Sequence, residues 1–170
     1  VQFPMLGRMQ LLASEEYGLR CLLQVARAGE ERPVPIPAVA RAEGLSVDYA
    51  AKLLRRLRLA GLVRSTRGVE GGYRLARPAG EITVWSALEA LGGEFFGEAF
   101  CACHTGVRRR CARSRDCSLR PLWRELQEAV RRRLERIQLA DLLRDEPAMS
   151  AWLGQNDLIR IEGSERLEGV

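Results

Sequence analysis

Four of the five cysteines fall within 17 residues: Cys101, Cys103, Cys111 and Cys117. Thiolates converging from so short a segment are suited to metal or redox chemistry rather than to structural disulfides, provided the chain stays in a reducing compartment. The sole histidine, His104, adjoins Cys103, and Arg108, Arg109, Arg110, Arg113 and Arg115 interleave with the cysteines. Such cations lower thiol pKa values and offset the charge of a thiolate-ligated centre. A second group points to different chemistry. Residues 46–77 hold Lys52, Arg55, Arg56, Arg58, Arg64, Arg67, Arg74 and Arg77 against only Asp48 and Glu70. A base-rich stretch of this kind suits a phosphate-bearing partner.

The chain-wide totals hide both groups. The net charge is +5 over 170 residues. Residues 1–80 carry 13 basic and 7 acidic side chains, residues 81–143 carry 11 and 9, and residues 144–170 carry 3 and 6. At 46% hydrophobic the chain can bury a core, which excludes wholesale disorder. No apolar run approaches the ~20 residues of a membrane span. Residues 1–8 lack the basic stretch and apolar core of a signal peptide. The expectation is a cytoplasmic protein with no membrane partner.

The elements that must position these residues follow from local patterns. Helical spacing over 14–28 (Leu19, Leu22, Leu23, Val25, Ala26) predicts a first helix capped by Ser14 and stopped by Gly29. Pro37 opens a second over 37–43, and Gly44 stops it. Ser46 caps a third, running to about Ala60 before Gly61. Two strands, 62–66 and 73–76, flank a turn rich in glycine. A fourth helix starts near Thr83 and ends at Gly92-Gly93. Residues 94–116 have no clear period and read as a loop. From 118 to 143 an approximate heptad seam runs through Leu119, Leu122, Leu126, Ala129/Val130, Arg133/Leu134, Ile137 and Ala140, opposite a charged face. That is longer than a small core needs and predicts a dimerising helix. The acidic, glycine-punctuated tail from Glu146 is expected to fray.

Short helix, Gly-Leu turn, capped basic helix and glycine-tipped hairpin form the order of a winged helix-turn-helix. The third helix must present a polar face to the major groove and an apolar face to the core. Ala51, Leu54, Leu57 and, less squarely, Ala50 supply the inner face. Ser46, Asp48, Tyr49, Lys52, Arg55 and Arg56 offer groups to bases and phosphates. Arg67 and Arg74, around Gly71 and Gly72, equip the wing to approach the backbone or minor groove.

The run Gly61-Leu-Val-Arg-Ser-Thr-Arg-Gly-Val-Glu-Gly-Gly-Tyr-Arg-Leu-Ala-Arg-Pro78 resembles the wing of the IscR/NsrR-type family of bacterial regulators. Met9-Gln-Leu-Leu-Ala-Ser-Glu-Glu-Tyr-Gly-Leu-Arg20 resembles that family's first helix. Cys111-(x5)-Cys117-Ser-Leu-Arg-Pro-Leu-Trp123 resembles the end of its cysteine loop and the start of its dimer helix. The resemblance spans residues 9–143 and suggests Met9 as the natural start. It implies a homodimeric transcription regulator, most often a repressor, that binds double-stranded DNA at a pseudo-palindromic operator. It further implies control by an iron–sulfur cluster that senses redox state, nitric oxide or cluster supply. A two-iron cluster is favoured and a four-iron cluster possible in kind. Thiolate ligation in a loop suits either.

The sequence departs from the family in its ligands. Only Cys111 and Cys117 keep the usual five-residue interval. The first ligand is either Cys103, with seven residues between it and Cys111, or Cys101, with nine. Some family members use a histidine three residues after the last cysteine, where this chain has Arg120. His104 could substitute. Glu16, counted from Met9, occupies the place of an acidic ligand that some members take from the partner subunit. A zinc site built on four Cys and a His, or a bare thiol sensor, is the alternative to iron. An enzyme is not expected, because an adjacent Cys-His pair lacks the geometry of a nucleophile and base, and no small-molecule substrate is implied. The predicted fold is mainly α with a small β wing. It comprises a winged helix-turn-helix domain (9–92), a cysteine-rich sensor loop (93–117), a long C-terminal dimerisation helix (118–145) and an acidic flexible tail (146–170).

Overall fold

The first helix, α1 (Ala13–Arg27), begins one residue before the expected cap. Its start is fixed by Glu15 rather than Ser14. The Glu15 carboxylate reaches back to accept the Leu12 N–H at 2.8 Å and is only 3% exposed. This satisfies a backbone donor that the first turn leaves without a partner. The computed structural model describes residues 12–29, 32–68, 71–93, 96, 105–107 and 110–156.

Helix α2 (Ile36–Glu43) ends at Gly44, which takes a left-handed φ of +67°. That conformation lets the Leu45 N–H return to the Ala40 carbonyl at 2.8 Å. Ser46 then caps α3 (Val47–Leu59), its Oγ accepting the Tyr49 N–H at 3.2 Å. Strands β1 (Val63–Thr66) and β2 (Gly72–Leu75) form an antiparallel ribbon with Val63 opposite Leu75 and Arg64 opposite Arg74. Thr83 caps α4 (Val84–Leu91), and Gly92 ends it.

These elements surround one core. Cys21, Leu22 and Val25 of α1 meet Val39 of α2, Leu54 and Leu57 of α3, and Leu91 of α4. Val63 and Leu75 seal the base of the ribbon into the same core. The inner face of α3 differs from expectation. Ala50, Leu53, Leu54 and Leu57 are buried, whereas Ala51 is half-buried. α3 is flanked by α1, α2 and α4, so its apolar stripe is broad and takes in Leu53.

The C-terminal region corrects two expectations. The helix expected over 118–145 is α5 (Leu119–Glu135), ending well short of Leu143. Beyond it, Ile137 and Leu139 turn inward on alternate residues, and both are buried. Ile137 O accepts the Val84 N–H at 2.8 Å, and Leu139 N–H donates to Ile82 O at 2.7 Å. Burial of two apolar side chains at period two, with paired backbone, outweighs one more helical turn. Ile137 therefore belongs to a second small core with Val84 and Leu88 rather than to the seam. The tail does not fray from Glu146. Asp145 caps α6 (Glu146–Gln155), whose Met149, Trp152 and Leu153 cover that second core. Residues 157–170 lie outside the described residues.

Candidate functional site

The outward face of α3 carries the expected polar set. Ser46, Asp48, Lys52, Arg55 and Arg56 are exposed, and Tyr49 is half-buried. Tyr49 packs edge-to-face on Tyr17 with ring centroids 6.2 Å apart, so its ring is held by α1. Ser14, Tyr49, Lys52, Arg55 and Arg56 line one shallow surface pocket. Val47, 48% exposed at the N-terminal end of α3, adds an apolar group that the sequence reading missed. Its signal was there to be found: a β-branched residue directly after the cap of a recognition helix can meet a thymine methyl.

Arg56 differs from its neighbours. Its Nη1 donates to the Leu91 carbonyl at 3.0 Å, joining α3 to the end of α4.

In the wing, Arg67 is exposed and Arg74 half-buried. Among the described residues, Arg74 Nε is buried without a hydrogen-bond partner. Arg74 also sits directly opposite Arg64, a like-charge pairing that disfavours the ribbon unless an anion lies nearby. Gly72 answers to the fold as well as to any ligand. A Cβ there would overlap the Val34 carbonyl, because Val34 bridges to Tyr73 through bonds of 2.8 and 2.9 Å. At Gly71 a Cβ would stand 2.7 Å from the carbonyls of Thr66 and Gly68. Gly71 is thus required to close the turn, and Gly72 to admit the Val34 backbone against it.

Cys111 and Cys117 are free, half-buried thiols preceding α5. The Ser114 N–H donates to Cys111 O at 3.0 Å, and the Arg120 N–H donates to Cys117 O at 3.2 Å. Arg120 also reaches back to donate to the Ser114 carbonyl at 2.8 Å. It folds the Cys111–Cys117 segment onto the first turn of α5. Cys101, Cys103 and His104 lie outside the described residues. Among the described residues no group of three or more His, Cys, Asp or Glu is close enough to hold a metal ion. Two free thiols, with Arg113 and Arg115 between them in the sequence, are nevertheless the donor type an iron–sulfur cluster takes. Glu16 is exposed on the first turn of α1, next to the buried Glu15. Cys21 is the opposite kind of thiol: fully buried, its pKa pushed up to about 11, chiefly by burial and then by the Glu43 carboxylate.

Glu43 is a second feature the sequence reading missed. It accepts from Arg20 Nε at 2.6 Å and also from Gln24, pinning α2 to α1. The partners lie 23 and 19 residues away, so no local pattern announces them.

Helix α5 buries none of its residues. Leu119, Leu122 and Leu126 are 50%, 48% and 39% exposed along one seam. No described helix is long and apolar enough to cross a membrane.

Comparison with known proteins places these features in context. Residues 12–145 match a family model described as an iron-dependent transcriptional regulator, Rrf2. The protein rrf2 of Nitratidesulfovibrio vulgaris is 41% identical over 137 residues, covering 81% of this chain and 89% of that one. The regulator IscR of Serratia proteamaculans is 32% identical over 149 residues, 88% of each chain. Among solved structures, T. potens IscR superposes with a TM-score of 0.63 at 29% identity, covering 84% of this chain and 90% of that one. CymR, described as the global cysteine regulator of B. subtilis, superposes with a TM-score of 0.61 at 28% identity, covering 79% and 95%.

Proposed function

The chain belongs to the Rrf2 family of transcriptional regulators, which bind DNA and are not enzymes, and we propose that it acts as a homodimer on a pseudo-palindromic operator under control of its cysteine segment. In this reading Ser46, Asp48, Tyr49, Lys52 and Arg55 face the major groove, with Val47 available to a thymine methyl. Arg67 and Arg74 meet the phosphate backbone beside it. The unpartnered Arg74 Nε and the Arg64–Arg74 pairing support an anion at the wing. The exposed leucines of α5 supply the apolar face of the homodimer, and twofold symmetry then sets two recognition helices for two half-sites.

Cys111, Cys117 and one or both of Cys101 and Cys103 would hold an iron–sulfur cluster, with Glu16 of a partner subunit or His104 as a further ligand. The cluster supplies a centre whose oxidation, loss or nitrosylation changes what the thiolates must bind. The protein's part is to keep the thiols free, to interleave them with arginines in the sequence and to tie their segment to α5 through Arg120. The observation that carries the reading is the pair of free thiols folded onto the helix that bears the apolar seam.

A second reading is favoured by the likeness to CymR. Staphylococcus aureus CymR, solved in an oxidized form, is 28% identical and superposes with a TM-score of 0.62; in this reading the same thiols of this chain sense directly by forming disulfides, without iron. Anaerobic purification followed by iron, sulfide and zinc analysis separates the two. The first reading expects iron and sulfide in equal amounts and a visible chromophore lost in Cys111→Ser and Cys117→Ser. A metal-free protein that still alters its DNA affinity on mild oxidation would replace it with the second. Stoichiometric zinc would replace both.

A further inference from the structure

The last carbonyls of a helix have no partner within it. At the end of α4, two are met locally: the Gly92 N–H donates to Glu89 O at 3.1 Å and the Gly93 N–H to Leu88 O at 2.9 Å. The Leu91 carbonyl is met from another element. Arg56 Nη1 donates to it at 3.0 Å from α3, where a cation also meets the negative end of the α4 dipole. Leu91 has little room to yield. It is 1% exposed, and its δ-methyls fill the notch that Gly18 leaves in α1, where a Cβ would collide with them.

The chain that leaves this point leads to the cysteines. Beyond Gly92-Gly93, Phe96 stacks on Trp123 with ring centroids 5.3 Å apart and planes 12° from parallel. Its N–H donates to Gln127 Oε1 at 3.1 Å. Trp123 and Gln127 belong to α5, whose first turn follows Cys117. The segment is therefore held to α5 both at Phe96 and at Cys117, while its origin at Leu91 is held to the recognition helix by Arg56.

We infer that Arg56 is a positioning residue and not a phosphate contact: it couples the origin of the cysteine segment to the recognition helix. A shift at the end of α4 is carried to α3 through this one charge-assisted bond and the Leu91 packing beneath it. The coupling half of the inference rests on the function proposed above. The assignment of the guanidinium does not.

The experiment has two arms. In the first, binding of wild type, Arg55→Gln and Arg56→Gln to a short duplex of random sequence is followed against salt concentration. Removing a phosphate contact lowers the slope of log affinity against log salt by about 0.9. Arg55→Gln takes that loss, and Arg56→Gln keeps the wild-type slope. In the second arm, a duplex selected from a random pool by the wild-type protein is bound before and after oxidation of the cysteine segment. Allosteric couplings are typically about 5–150-fold, and the wild-type affinity ratio falls in that range. Arg56→Gln brings the ratio towards one, and Arg56→Lys, which keeps the charge and a donor, restores part of it. Circular dichroism verifies folding, with Arg56→Met, which keeps the alkyl stem, replacing the glutamine variant if that melts too low. A slope that falls in Arg56→Gln as in Arg55→Gln, or a ratio unchanged from wild type, overturns the inference. A wild-type ratio of one overturns the proposed function instead and leaves the salt slopes to decide the role of Arg56.

Discussion

Helices α3 and α5 are both basic and amphipathic, yet they dispose of their apolar faces in opposite ways. The 13 residues of α3 include four that are buried, while none of the 17 in α5 is. α3 finds its partners within the chain, between α1, α2 and α4. α5 leaves Leu119, Leu122 and Leu126 outward, an apolar seam of the kind that the proposed homodimer would cover. One helix is anchored and leaves its polar side outward, where the proposed function places DNA. The other exposes an apolar seam, which the proposed homodimer would bury, and has the Cys111–Cys117 segment folded onto its first turn.

The same substitution should separate them most sharply. Leu122→Ala removes an apolar side chain from both copies of a twofold interface, costing about 3–6 kcal/mol of association at about 1.5–3 kcal/mol per buried leucine. Sedimentation should show the dimer shifted towards monomer with little change in the monomer's own melting. Leu54→Ala, at a fully buried position, should cost about 2–5 kcal/mol of folding stability, read by denaturant unfolding. If both variants lowered folding stability alike, the contrast between the helices would collapse.

The thiols sharpen the comparison at a smaller scale. Burial raises the Cys21 pKa from 9.0 to about 11. Folded protein therefore keeps a proton that the unfolded chain releases, so stability holds below about pH 9 and falls as pH rises towards 11. The loss amounts to at most about 3 kcal/mol across that window. Cys21→Ala should flatten this alkaline slope while leaving the rest of the pH profile in place. Smallest is Ser46→Ala, which removes the cap of α3 and should cost about 1 kcal/mol in a thermal melt.

Elements fixed by local chemistry were legible in the sequence. Gly44 and Gly92 end helices in left-handed conformations, Ser46 caps the helix it precedes and the fourth helix starts at Thr83, because a cap or stop depends on only a few neighbouring residues. The winged arrangement and the polar face of α3 followed from the same signals. Three things were not legible. The seam of α5 was read through Ile137, where a heptad position coincides with an inward residue of a short period-two run. Nothing within that run distinguishes the two until Ile82 and Val84 arrive as partners. The roles of Arg56 and Phe96 depend on partners 35 and 31 residues away, so each reads locally as one more base or one more loop aromatic. Cys111 and Cys117 were legible as chemistry, but their attachment to α5 through Arg120 is a fact of three dimensions.

The central claim is that the cysteine segment sets the affinity of the recognition helices for DNA. The most direct test is the affinity of anaerobically prepared dimer for a duplex selected from a random pool, measured before and after the cysteine segment is oxidised or stripped of its metal. The account predicts a change of about fivefold or more, abolished in Cys111→Ser and Cys117→Ser. Equal affinity in both states, with the dimer intact and the DNA bound, would contradict it.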